Sequence, residues 1–391
     1  VKRYLILVSA VVMQMCLGAT YSWSVFVEPI REVTGLLQGP VQTPFTIFFF
    51  AFPGMMMLTG TLLPILGPRR CAMIGGVLFG GGWILGGLGD VHFAFTILGI
   101  GLMAGIGVGM AYIVPISVAI QWFPDKKGLV TGVAVAGFGG GAAMVSKLGG
   151  WMMTDLAYSP FETFTAFGVA FFLLVASAGS AMVNPPDAQR NRPLPLMPRD
   201  ILPRRAFKVL YFAMFAGLTA GFAVNTNLKE LYPESPVEAG VTAVALFALA
   251  NAAGRVSWGM VFDRVNSATA VRANLLVQAV VLLAAPFLLQ SVWGLWTVAV
   301  LAGFNFGGVL VVYVSAAARN WGSAHVGQVY GWLFSANIPA ALSPIFAGLA
   351  FDYFGDFQVA LGVIAALLIV AAVVVWREVP TVNVREAGSE T

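Results

Sequence analysis

Residues 94–120 read AFTILGIGLMAGIGVGMAYIVPISVAI, without one charged side chain. About 20 apolar residues in helical form cross the hydrocarbon core of a bilayer, so this stretch is long enough to span one. Reading outward with charged residues, proline and glycine as punctuation, eleven further runs appear at 5–30, 43–66, 71–89, 128–154, 161–183, 207–228, 238–262, 269–290, 293–316, 326–350 and 357–376. Twelve helices of that length take roughly 240 residues, which leaves no room for a large soluble domain in a chain of 391. Composition agrees: 59% of residues are AVILMFWYC and 10% are charged, where soluble domains carry roughly a quarter charged. The expected class is an all-α membrane protein.

The same counts exclude several chemistries. Two cysteines, Cys16 and Cys71, form neither a disulfide framework nor a CxxC pair. Two histidines, His92 and His325, lie far apart without ligand spacing, so metal, haem and quinone chemistry has no foundation. No GxxxxGK[ST] run is present, and the glycine-rich stretch Gly137-Phe138-Gly139-Gly140-Gly141 is no phosphate loop. It suits close packing of moving helices, as does Asn337-Ile338-Pro339. A membrane enzyme would need a nucleophile, a metal cluster or an acid/base pair, and none is visible. No cofactor is expected. The net charge of +4 comes from residues scattered in short loops rather than one soluble basic patch, so no nucleic-acid partner is expected.

Orientation follows from lysine and arginine, which cytoplasmic loops retain. With the N-terminus inside, 17 of 21 fall on the cytoplasmic side, leaving Arg31, Lys147, Lys229 and Arg255. Both termini are expected inside. The first run follows Lys2 and Arg3 but is too long for a signal peptide and lacks a small-residue cleavage site, so it is expected as a retained helix. Short loops without a targeting peptide fit a bacterial inner membrane.

The longest polar stretch, 184–206, lies near the midpoint. It divides the chain into an N-terminal six-helix bundle at 1–183, a cytoplasmic linker at 184–206, a C-terminal six-helix bundle at 207–376 and a cytoplasmic tail at 377–391. An internal repeat supports the division. Gly128-Leu-Val-Thr-Gly132 recurs as Gly327-Gln-Val-Tyr-Gly331, and Gly60-Thr-Leu-Leu-Pro64 matches Gly259-Met-Val-Phe-Asp263, both at an offset of 199 (327 − 128 and 259 − 60). Tyr112 and Trp122 pair with Tyr313 and Trp321 if the second half lacks two residues. Parallel repeats in a chain of many spans point to a transporter of two bundles that rock about a central site.

Residues Gly259-Met-Val-Phe-Asp263-Arg264 resemble the GxxxDR motif that the major facilitator superfamily carries between helices 8 and 9, and the likeness extends over essentially the whole chain. The first-half loop GTLLPILGPRR at 60–70 has Pro64 where the motif has an acid. Gln121-Trp122-Phe123-Pro124-Asp125-Lys126-Lys127-Gly128 resembles a monocarboxylate-transporter signature and the WFPDKRG run of the oxalate:formate antiporter branch; Thr20-Tyr21-Ser22-Trp23-Ser24 is similar to that branch too. The whole resembles a bacterial lactate-type monocarboxylate transporter. That resemblance implies the major facilitator fold, a gating motif of Gly259, Asp263, Arg264, Asp125 and Lys126, and proton symport. In animal monocarboxylate transporters an acid stands four residues before the helix 8 arginine; here the pair is Asn251 and Arg255. Where oxalate-type relatives place a second cation in helix 11, the register set by Tyr330-Gly331 puts Asn337.

Arg255 is the sharpest signal from the residues themselves. Eight residues before Asp263, it lies about 12 Å inside the helix end. A charge at such depth costs about 2.5–3.5 kcal/mol or more and by default marks a substrate path; a guanidinium can grip a carboxylate through two parallel hydrogen bonds. The other reading is a snorkelling or structurally paired arginine, but no Asp or Glu lies mid-span to pair with it. Asn251, one turn away on the same face, either donates to substrate or holds an interhelical bond. Tyr112, Tyr330 and Tyr21 are candidate phenol donors or packing residues, with Tyr313 and Gln14 weaker. Lys147 is an anion attractor or a snorkelling lysine. Glu28 is a candidate for proton coupling, with water and substrate the alternative carriers.

One arginine neutralises one carboxylate, and a dianion would leave a charge unpaired in a low-dielectric site. The expected cargo is therefore a small monocarboxylate, L-lactate or pyruvate, carried with a proton by alternating access through a monomer in the lipid bilayer. The rival readings are an organic-anion exchanger of the oxalate/formate type and a non-transporting membrane sensor.

Overall fold

The computed structural model describes residues 2–186, 196–228, 231–232, 234 and 236–378. The core of the expected linker (187–195), Lys229 and the tail from 379 lie outside the described residues. Among the described residues, twelve helices have membrane length: α1 Lys2–Ser22, α2 Pro40–Leu66, α3 Pro68–Asp90, α4 Ala94–Trp122, α5 Lys127–Thr154, α6 Pro160–Ser180, α7 Arg205–Thr226, α8 Thr242–Arg264, α9 Ser267–Leu288, α10 Val292–Trp321, α11 Val326–Phe351 and α12 Gln358–Val375. The all-α membrane fold expected from hydropathy is the one observed.

The helices cluster into two compact units. The first holds residues 1–124 and 133–195 together with 327–335; the second holds 125–132, 196–326 and 336–391. Each thus takes in the opening turns of a helix from the other half of the chain, α11 and α5 respectively. In the first unit α3 packs against α4 and α6, and α2 against α4; in the second, α8 packs along α10 and α9 along α12.

Local chemistry explains the departures from regular helix. The expected run 5–30 is two elements: α1 tightens into a 3-10 turn at Gly18–Ser22, and a separate helix covers Ser24–Thr34. Ser22 Oγ donates to the Ala19 carbonyl at 2.7 Å, a local bond that competes with the helical ladder. In α4, residues Ile97–Met103 are π-helical, and the ladder breaks again at Tyr112. Pro115 has no N–H to offer the carbonyl four residues back, and the next carbonyl, that of Tyr112, instead accepts a 3.0 Å bond from Gln14 Nε2. Its counterpart α10 is helical without interruption from Val292 to Trp321. α11 is broken at Phe334–Ala336, ahead of Pro339.

Candidate functional site

In the second unit, α8 holds Arg255 only 8% exposed. Its Nε donates to Asn251 Oδ1 at 2.9 Å, so the one-turn spacing read from sequence is a real contact. Asn251 orients the guanidinium from the nitrogen nearest the chain. Asn337, also buried, opens the short helical piece Asn337–Ala340 of α11. α8 is pressed against its neighbours here: a side chain at Gly254 would collide with the Phe304 backbone, and one at Gly132 with the Arg255 carbonyl.

In the first unit the three candidate tyrosines share one aromatic cluster. Tyr21 meets Phe49 and Phe138 edge-on, each at 5.1 Å between centroids. Tyr112 packs on Phe52 at 5.4 Å, Phe138 at 5.2 Å and Phe334 at 5.6 Å. Tyr330 reaches Phe334 at 5.7 Å. Tyr112 and Tyr330 are buried, whereas Tyr21 is 42% exposed. No local sequence pattern marks the four phenylalanines, because the cluster gathers its members from α1, α2, α4, α5 and α11.

The gating motif is partly assembled. Asp263 accepts from the backbone N–H groups of Gly128 at 2.7 Å and Leu129 at 2.9 Å, capping the first turn of α5, whose amides have no intrahelical partner. The approach requires glycine on both sides: a side chain at Gly128 would strike the Gly259 carbonyl, and one at Gly259 the Gly128 carbonyl. Arg319, which sequence reading counted only as a loop charge, donates to the carbonyls of Phe262, at 2.8 Å, and Val265, and lies 4.1 Å over the Phe262 ring. It ties down the end of α8 next to Asp263. Asp125, Lys126 and Arg264 are exposed and make no ion pair among the described residues.

The two coupling candidates stand elsewhere. Lys147 lies on the exposed face of α5 with Met144, Leu148 and Trp151. Glu28, beyond the end of α1, is paired with Arg31 at 2.7 Å and is largely exposed. Gln14 and Tyr313 are fully buried, and the Tyr313 hydroxyl has no hydrogen-bond partner among the described residues.

Twelve membrane-length helices among the described residues, a repeated glycine contact and a buried arginine are an arrangement that suits a membrane transporter. The Major Facilitator Superfamily profile matches residues 8–337 and 234–391, and the chain belongs to that family. It is 28% identical over 358 residues to the oxalate:formate antiporter of Oxalobacter formigenes, covering 87% of this chain and 83% of that one. It is 25% identical over 368 residues to apicoplast pyruvate carrier 1 of Toxoplasma gondii, covering 74% and 66%. Among solved structures, the FucP transporter in the outward conformation overlays with a TM-score of 0.76 at 14% identity, covering 96% of this chain and 99% of that one. That likeness shows the fold.

Proposed function

We propose that this chain is a secondary transporter of small monocarboxylates, L-lactate or pyruvate, with proton symport by alternating access. The observation that carries the reading is Arg255, a buried cation inside an apolar helix, braced by Asn251. A guanidinium offers parallel N–H donors that suit two charge-assisted bonds to a carboxylate. Asn337, a neutral amide where oxalate-type relatives carry a cation, favours a single carboxylate over a dianion. The pyruvate carrier among the relatives supports this cargo.

We further propose two six-helix halves joined at 184–206, both termini on the cytoplasmic side of a bacterial inner membrane, and a monomer as the working form. Asp263 at the start of α5 then acts as the latch of the cytoplasmic gate. A proton carried with each monocarboxylate makes the cycle electroneutral, since the single negative charge of the substrate crosses together with one positive charge.

Labelled L-lactate uptake into proteoliposomes, with and without an inward proton gradient, tests the reading in wild type and Arg255→Ala. Gradient-driven uptake lost in the variant is the expected result. Wild-type uptake by Arg255→Ala, or oxalate competing as strongly as lactate, would end it. The antiporter among the relatives supports a second reading, anion exchange; it requires uptake stimulated by internal anion and indifferent to the gradient.

A further inference from the structure

Ahead of α7 the chain makes a short elbow, Pro198–Ile201, before the helix starts at Arg205. Ile201 is 1% exposed and pins the elbow to the second unit, as Ala206 and Phe207 do one turn later. The outer side is different in kind. Arg199, Arg204, Arg205 and Lys208 are all exposed within ten residues, and Asp200 is the one acid among them. The Arg199–Asp200 contact is loose, at 3.9 Å, and exposed; such a pair takes little from either charge. Arg204 Nε donates to the Asp200 carbonyl at 2.8 Å, which folds its guanidinium back over the elbow. Lys208 lies one helical turn after Arg204.

Two large apolar side chains share this surface, Met197 at 52% exposure and Leu202 at 40%. Both precede the membrane-length stretch of α7. Exposed apolar residues interleaved with cations, at the mouth of a spanning helix, match the layered chemistry of a lipid headgroup region: phosphate outside, glycerol and acyl carbon just beneath.

We propose that this elbow is a binding site for an anionic phospholipid. Its phosphodiester is held by Arg199, Arg204 and Lys208, and its apolar carbon is met by Met197 and Leu202. A soluble phosphate would satisfy the cations but make no use of the two apolar side chains, which is why the lipid is the occupant. The inference rests on the charge and exposure of this surface, and stands independently of which substrate the transporter carries.

The test is lipid titration of the delipidated full-length protein in neutral detergent, followed by native mass spectrometry. Phosphatidylglycerol is expected to bind about tenfold more tightly than phosphatidylcholine, a preference weakened by salt. The triple variant Arg199→Gln, Arg204→Gln, Lys208→Gln is expected to bring the two lipids within about twofold of each other. Arg69→Gln with Arg70→Gln, two exposed arginines at the start of α3, is expected to leave the preference intact. Met197→Ser with Leu202→Ser should weaken both lipids several-fold at an unchanged ratio, and it tests the site without touching charge. Equal binding of the two lipids by wild type, or an unchanged preference in the triple variant, would overturn the proposal. Displacement of phosphatidylglycerol by millimolar glycerol phosphate would assign the site to free phosphate instead.

Discussion

The end of α8 and the end of α2 occupy equivalent places in the repeat, and they solve one packing problem with different chemistry. Gly259 meets Gly128 at the start of α5, while Gly60 and Gly331 bring α2 and α11 together slightly less tightly: a side chain at Gly331 would sit 2.7 Å from the Met56 carbonyl, and one at Gly132 2.4 Å from the Arg255 carbonyl. The backbone contact is common to both. Its polar fittings are one-sided. Asp263 caps α5 where Pro64 stands in the other copy, Arg255 occupies the place of Met56, and Lys126 ahead of α5 becomes His325 ahead of α11. Steric fit is thus preserved in duplicate, whereas the charged side chains Arg255 and Asp263 belong to one copy.

The comparison can be broken most sharply at Arg255. Arg255→Met makes α8 resemble α2; lactate uptake is expected to fall at least about 100-fold, in line with loss of a charge-assisted carboxylate clamp, while folded yield holds or rises because a costly intramembrane charge is gone. Met56→Ala, its mirror, should leave uptake within several-fold of wild type. Initial rates in proteoliposomes and fluorescence size-exclusion profiles measure the two. Next come the glycines. Gly128→Val and Gly331→Val should both lose folded protein in detergent, since the shared contact is steric; survival of either would mean that one copy is not needed.

Smaller effects separate the latches. Asp263→Asn keeps the shape and removes the charge at the α5 N-terminus, an interaction worth about 0.5–2 kcal/mol. A melting temperature lower by about 0.5–2.5 °C is expected, and no such drop should follow Pro64→Ala. The smallest effect concerns His325, whose imidazole burial pushes below the usual histidine range. A lowered folded pKa means that the unfolded chain binds the proton more readily, so stability rises with pH from below the folded pKa up to the ordinary value near 6.5. A melting temperature that climbs slightly from pH 5 to pH 7, and flattens in His325→Gln, is the expected outcome.

Helix number and most boundaries were legible because a bilayer imposes one length on every span. The break at Gly18–Ser22 was not, since the bond from Ser22 to Ala19 that accompanies it leaves no mark on hydropathy. Within the site, Arg255 and Asn251 declared themselves through depth and one-turn spacing, and Asp263 through a motif. Phe49, Phe52, Phe138 and Phe334 did not, because an aromatic residue looks the same in a wall as in a lipid-facing surface until distant helices are brought together. Arg319 escaped for a related reason: its partners are backbone carbonyls, which every sequence contains.

The interrupted ladder of α4 has a mechanical consequence. Tyr112 sits at the break, between the π-helical turn and Pro115, while α10 carries Tyr313 on an unbroken shaft. One phenol is mounted on a joint and the other on a rod. Fewer ladder hydrogen bonds resist bending at Tyr112, so α4 is the softer of the two helices at its tyrosine and α10 the stiffer.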